Sequence, residues 1–433
     1  MSWRFHVDDI AFIVGDCGAK VLFVTRKQAA MLPTLRARLP DLVVVAVGDT
    51  IEGCLDYEAA IAAEPAGPIA DEARGSDMLY SSGSTGRPKG VMQMLPSIGI
   101  DGLTPMYQAF AARYGWGPTT TYIMPAPLYH SGPLRFSMAM QYVGATLVVM
   151  ERFDAREALA LCERYKVTHG HFVPTMMVRI LKLPPEERLG FDLSAMRIVM
   201  HGAAPCPPEV KRAMIEWLGP ILEESYGGTE GNGMTMIGSR EWLEHPGSVG
   251  KPYTGAIHIV GLNGEDLPPG EIGLVYFAGG PKFEYHGNPE KTREAHDDQG
   301  RSTLGDIGYL DADGYLYLTD RKHDLIITGA INVYPQEIEN LLIAHPKVLD
   351  VAVFGLPDTE MGEVIQAVVQ LKDPDEADED TAAELMTFCR SRLPSYKVPR
   401  AIDFRRELPR HDTGKVYKGQ LKREYLKPAA GTG

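Results

Sequence analysis

Tyr80-Ser81-Ser82-Gly83-Ser84-Thr85-Gly86-Arg87-Pro88-Lys89-Gly90 is a run of hydroxyls and glycines that closes on one lysine. Its composition suits an anion. Glycines let successive backbone N–H groups turn inward, the hydroxyls add neutral donors, and Lys89 supplies a point charge for outer phosphates. Ser81, Ser82, Gly83, Ser84, Thr85, Gly86 and Lys89 are thus candidate phosphate contacts, with Thr85 also within reach of a metal ion. Pro88 before Lys89 departs from the G-x-x-x-x-G-K-[ST] loop, and Val91-Met92-Gln93 reads as strand rather than as a helix start. The spacing therefore predicts a mobile loop between two strands. Alone, the stretch also reads as a flexible Ser/Gly linker.

A second segment, Glu224-Ser225-Tyr226-Gly227-Gly228-Thr229-Glu230, joins an aromatic plane to glycines, a hydroxyl and a carboxylate. Tyr226 is placed to stack on a purine and Thr229 to bond a phosphate or acyl oxygen. Glu230 offers the hard oxygen that Mg²⁺ takes beside substrate phosphates. An ordinary Gly-rich turn is the other reading of this segment.

Around these segments the first half alternates helical and strand patterns, with helices expected over 7–17 and 155–165 and strands over 19–24 and 43–47. That alternation predicts an α/β fold built on largely parallel sheets. From 247 to 317 short strands and turns, including Asn263-Gly264, Pro269-Gly270 and Asp313-Gly314, predict a β-rich subdomain. After Arg321 comes a compact α+β tail: strands over 325–328, 349–354 and 364–371, a helix opened by Pro335, and helices over 381–393 and 416–425. The expected layout is a large domain over 1–322 and a small, mobile C-terminal domain over 323–433. The acidic stretch 373–380 reads as a solvated loop.

With 433 residues, 44% of them hydrophobic, the chain can bury large cores. Its net charge of -14 argues against a broad nucleic-acid or anionic-membrane surface. The five cysteines are scattered without a C-x-x-C pair, which suggests neither a disulfide framework nor a zinc site. No apolar run approaches the roughly 20 residues that span a bilayer, and the N-terminus lacks a signal-peptide core. A cytoplasmic protein is expected. His169 and His171 fall on one face of a strand, but no third metal ligand follows at suitable spacing.

Three more motifs complete a pattern: Leu304-Gly305-Asp306-Ile307-Gly308-Tyr309, Thr319-Asp320-Arg321-Lys322-His323-Asp324 and Asp412-Thr413-Gly414-Lys415. Together with the first two segments, in this order, they resemble the signature motifs of the adenylate-forming superfamily. That superfamily includes acyl-CoA and aryl-CoA synthetases, adenylation domains of peptide synthetases and beetle luciferases. The resemblance runs over nearly the whole chain. It implies an ATP-dependent acyl-CoA ligase, with ATP, coenzyme A and a small carboxylic acid as substrates and Mg²⁺ as cofactor.

Roles follow from the resemblance residue by residue. Gly202, Ala203 and Ala204 would lie against adenine, beside Glu224, Ser225, Tyr226 and Gly227. Asp306 would accept both ribose hydroxyls, and Arg321 would hold ribose and phosphate. Thr229 and Glu230 would serve the phosphates and their Mg²⁺, and Lys415 would be the adenylation lysine. His130, in Pro125-Ala126-Pro127-Leu128-Tyr129-His130-Ser131-Gly132, would gate or orient the acid. His323 would be the hinge, and Gly329 and Ala330 would border the coenzyme A tunnel. Singly, Asp306 and Arg321 read as a surface pair, and Lys415 as a basic residue before a helix.

Three departures stand out. His323 replaces the usual Asp or Lys pivot, and Ala330 replaces the second glycine of a usual pair. Superfamily members also carry on the order of a hundred further residues before the first helix seen here. On that ground the expectation is a truncated reading of a longer gene, or an incomplete first layer with exposed apolar surface. Two alternatives accompany the ligase reading: an adenylating enzyme that loads a carrier-protein thiol, and a non-catalytic nucleotide-binding relic. A homodimer is compatible with the resemblance, and no particular acid is indicated. The apolar segments 198–200 and 234–237 suggest either a hydrophobic acyl pocket or plain core strands.

Overall fold

The computed structural model describes residue 1 and residues 5–81, 88–95, 97–261, 263–321, 324–328, 331–410 and 416–426. At its centre lies a seven-stranded sheet. Strands Thr146–Val149, Thr121–Met124, His169–Phe172, Ile198–Gly202 and Leu222–Gly227 run parallel in that spatial order. Met234–Gly238 and Lys251–Thr254 then close one edge antiparallel. Helices cover the faces, and His169–Phe172 is buried throughout its length, as expected of a parallel strand sandwiched between helices. Helix Ala155–Arg164 shows the logic of these covers. Asp154 caps its first turn by accepting from the Glu157 N–H at 2.9 Å, while Ala158, Leu159 and Cys162 are buried.

A smaller parallel sheet precedes it: Val21–Val24, Val43–Ala46 and the two-residue Leu55–Asp56. Helices Val7–Asp16 and Leu32–Arg38 pack on it around Ile10, Val14, Leu32 and Leu35. Val21, Phe23, Val43 and Leu55 remain exposed. Leu79–Ser81 and Lys89–Gln93 pair antiparallel, which places the Ser/Gly stretch between two strands as its reading requires. Phe283–Tyr285 adds to the same sheet as a third strand. The turn-rich region builds a four-stranded antiparallel sheet from Ala256–Val260, Gly273–Ala278, Ser302–Leu310 and Leu316–Arg321.

The tail forms its own sheet. Val348–Asp358 and Gly362–Leu371 make a long antiparallel pair, flanked by Ala401–Phe404 and by Ile326–Thr328 with Ile331–Val333. Helices Pro335–Ile343 and Glu379–Arg390 pack on it around Ile338, Leu342, Val353 and Leu385. The second of these starts earlier than the expected 381. The reason lies in the acidic stretch itself: Asp378 accepts from the Thr381 N–H at 2.8 Å, and Glu379 and Asp380 sit favourably in the first turn. The last helix, Lys418–Leu426, is amphipathic enough to bury Leu421.

Lys182, just past helix Pro174–Leu181, donates to the carbonyls of Val348 and Leu349 at the start of the tail's longest strand. Burial lowers its pKa from 10.5 to about 8, reinforced by Lys372 and opposed by Asp350. Between these two values the unfolded chain holds a proton that the folded chain has released, so stability contributed at this position rises with pH across that window. Chemical-denaturation curves at pH 8 and pH 10 are expected to show the wild type gaining on Lys182→Met. A constant difference between the two proteins would refute the assignment.

Candidate nucleotide and acyl site

The carboxyl ends of the central parallel strands open toward one cavity, which is where open α/β sheets place their ligands. Gly202 ends one strand, Tyr226 and Gly227 end the next, and His130 follows the strand Thr121–Met124. A Cβ on Gly202 would stand 2.4 Å from the Ser225 carbonyl oxygen, so only glycine lets these strands approach. Ala203, next in sequence, is exposed on the cavity wall with φ +67, a left-handed conformation that costs a non-glycine residue on the order of 1 kcal/mol or more.

Two clusters face this cavity. In the first, the Tyr226 hydroxyl donates to Asp306 Oδ2 at 2.7 Å and Arg321 Nε lies 3.1 Å from Asp306 Oδ1. Asp306 and Arg321 face each other across the ladder between Ser302–Leu310 and Leu316–Arg321. The pair is therefore only partly a surface one: Asp306 is 5% exposed, while the Arg321 side chain keeps 40% of its surface exposed. In the second, Glu230 receives the Tyr285 hydroxyl at 2.8 Å, and Lys89 Nζ stands 3.8 Å over the Tyr285 ring. Burial lowers the Lys89 pKa, with Glu230 opposing that shift.

The turn that carries Thr229 and Glu230 is held from several elements. Gln93 Nε2 donates to the carbonyls of Thr229 and Glu230 at 3.3 and 3.1 Å. Arg135 Nη1 donates to the Thr229 carbonyl at 3.3 Å and is itself ion-paired to Asp77 at 2.8 Å. Thr229 Oγ1 donates to Ser131 Oγ at 3.3 Å, at the start of helix Ser131–Tyr142. Tyr285, Gln93, Arg135 and Asp77 carried no local signal in the sequence, since each meets its partner from 55 or more positions away.

His130 precedes that helix and lines the cavity, its Nε2 buried without a hydrogen-bond partner. Burial lowers its pKa to about 4, so at neutral pH it is an uncharged imidazole. It cannot attract a carboxylate by charge and can only donate a hydrogen bond to it. Ser81 ends its strand with Oγ buried and without a partner. Ser82, Gly83, Ser84, Thr85, Gly86, His323, Gly329, Ala330 and Lys415 lie outside the described residues.

Glu224 lines the cavity but is already paired. Its Oε2 lies 2.6 Å from Lys211 Nζ on helix Pro208–Leu218, and both side chains are buried, at 6% and 0% exposure. Burial raises its pKa while Lys211 lowers it, the former dominating. The carboxylate that the sequence offered to the nucleotide is thus committed to an internal ion pair. Removing one partner of such a pair strands the other charge and costs about 3–5 kcal/mol, whereas apolar replacement of both is often neutral. Urea unfolding is expected to show Lys211→Met strongly destabilised and the Lys211→Met/Glu224→Met double variant largely restored. Additive losses would contradict this.

The family model "AMP-binding enzyme" matches residues 1–282, and "AMP-binding enzyme C-terminal domain" matches 337–415. The chain belongs to the AMP-binding enzyme family. Among relatives of this AMP-binding enzyme, feruloyl-CoA synthase of an Amycolatopsis species is 32% identical, over 98% of this chain and 83% of that protein. The long-chain-fatty-acid–CoA ligase FadD13 of Mycobacterium tuberculosis is also 32% identical, covering 98% and 82%. The solved structure of ATP-bound MatB from Rhodopseudomonas palustris superposes with a TM-score of 0.82 at 28% identity, covering 98% and 83%. In general chemistry this AMP-binding enzyme stands with the acid–thiol ligases. No helix among its described residues is long and apolar enough to cross a membrane.

Proposed function

We propose that the chain is an ATP-dependent acyl-CoA ligase with a large domain over 1–322 and a small C-terminal domain over 323–433. The observation that carries this reading is the convergence of the Tyr226–Asp306–Arg321 cluster and the Glu230–Tyr285–Lys89 cluster on one cavity in a member of this family. Asp306 has two carboxylate oxygens for the two ribose hydroxyls, with Tyr226 and Arg321 fixing its orientation. Ala203 and Ala204 form the wall for the base. Lys89 and Arg321 take the phosphates.

A carboxylate is a poor electrophile, so it is activated first. Its oxygen bonds to the α-phosphorus, the bond from that phosphorus to the bridging oxygen of the β-phosphate breaks, and pyrophosphate leaves. Lys415, by resemblance, bridges the attacking carboxylate and the α-phosphate and neutralises the charge that develops there. A thiolate then bonds to the acyl carbon, and AMP departs with the former carboxylate oxygen; the thiol proton passes to solvent. His323 is the proposed hinge between the two half-reactions, and Gly329 and Ala330 the proposed border of the thiol tunnel.

The donor set fits a magnesium ion: Glu230 is 8% exposed on the cavity wall, and Tyr285 occupies one of its oxygens, leaving the other for a hard cation. Such an ion supplies charge neutralisation for the phosphates. Thr85 is its second proposed ligand.

The reading is tested by pyrophosphate release from Mg-ATP with fatty, aryl and steroidal acids, with and without coenzyme A. Acid-dependent release followed by thioester supports it. Release without any thioester would move the acceptor to a carrier-protein thiol, and ATP binding with no release would leave only the nucleotide-binding relic.

A further inference from the structure

The cavity wall contains a polar group that the proposed reaction does not use. His171, on strand His169–Phe172, lines the cavity and is only 5% exposed. Its neighbour on the same strand face, His169, is fully satisfied: Thr168 Oγ1 at 2.8 Å and the Tyr114 carbonyl at 3.0 Å take its two ring nitrogens. His171 makes no hydrogen bond to any described residue, and its Nδ1 is buried without a partner. It is instead walled by carbon. The Phe136 ring meets it edge-on at 4.9 Å, and a Cβ on Gly132 would lie 3.7 Å from its Cε1.

A buried polar side chain with no partner is a costly arrangement for a wall that a methionine or leucine would fill as well. Tyr107 and Phe136 line the same cavity with their rings 5.6 Å apart, and the buried Phe110 and Trp116 pack behind them, an apolar wall of the kind expected of an acyl pocket. Burial also keeps the imidazole neutral at physiological pH, so it can donate or accept but carries no charge to attract a second carboxylate. The chemistry that matches one neutral donor–acceptor in an otherwise apolar wall is an uncharged oxygen on an otherwise apolar body.

Resting on the ligase reading, we infer that the acid activated here carries a hydroxyl or keto group along its apolar body, and that His171 is the residue that holds it. A site built to pair with such an oxygen discriminates against the analogue that lacks it, because its own polar group is then left unpaired. An unbranched fatty acid with no such group would bury the imidazole against methylenes.

The test compares kcat/KM for pyrophosphate release across matched acids: 12-hydroxydodecanoate against dodecanoate, 4-hydroxycinnamate against cinnamate, and a hydroxylated against an unsubstituted steroid side-chain acid. At least one pair is expected to favour the oxygenated member by about tenfold or more. His171→Phe is expected to bring that ratio close to one, and His171→Gln, which restores a neutral hydrogen-bonding group, to recover part of it. Thermal melts of both variants ensure that folded protein is compared, and the wild-type ratio needs no variant. Acid-dependent release with no oxygen preference in any pair, or a preference that survives in folded His171→Phe, overturns this inference alone. Absence of release with every acid overturns the ligase reading and this inference with it.

Discussion

Lys415→Ala is expected to lower acid-dependent pyrophosphate release by about 10²–10³-fold, the loss seen when one preorganised donor to a developing oxyanion is removed. The adenylation step gathers negative charge on the α-phosphate while a carboxylate, itself an anion, approaches it. The two cations of the clusters described above are already engaged: Arg321 is paired with Asp306, and Lys89 stands over Tyr285 close to Glu230. The substitution should therefore act on kcat more than on the KM for ATP. Supplied with synthetic acyl-adenylate and coenzyme A, the variant is expected to form thioester at close to the wild-type rate. Equal loss in both half-reactions would remove Lys415 from the special role and make it a general determinant of binding or folding.

The second large effect is expected at Asp306. Hydrogen bonds to a charged group are worth about 1.5–3 kcal/mol each, so losing two ribose contacts predicts roughly 10²-fold or more in kcat/KM for ATP. Asp306→Ala should raise the KM for ATP and leave that for the acid nearly unchanged. Tyr226→Phe, which removes only the 2.7 Å bond that orients the carboxylate, should cost about tenfold. The two residues share one contact, so their losses should fall short of additive in the double variant. Steady-state kinetics with ATP and acid varied in turn decide the matter; an acid KM that rises as much as the ATP KM would place Asp306 outside the nucleotide site.

The sequence made the helices Val7–Asp16, Ala155–Arg164 and Pro335–Ile343 readable because each announces itself by an apolar stripe, a capping residue or an N-terminal proline. Strand Leu55–Asp56 is too short to show a period, and it passed unread. Asp306 and Arg321 were readable as motif members, but their direct pairing depends on ladder register. Glu224 shows the opposite case. It shares a strand face with Tyr226 and lines the same cavity, but its carboxylate is taken by Lys211 of helix Pro208–Leu218. A local motif cannot report that pairing. Tyr285 and Gln93 were invisible for a related reason: nothing near them in sequence hints that they meet at Glu230.

That meeting has a kinetic consequence. Glu230 and Thr229 are fixed by Gln93, Arg135 and Tyr285, residues 137, 94 and 55 positions away from their partners. Loop-closure entropy must be met before contacts of such separation form, so the phosphate end of the cavity is expected to assemble late in folding, after the strand Phe283–Tyr285 docks beside Lys89–Gln93. During refolding, recovery of helical signal should therefore run ahead of recovery of nucleotide binding. A nascent chain on the ribosome would stay unable to capture ATP until residues well past the central sheet had emerged.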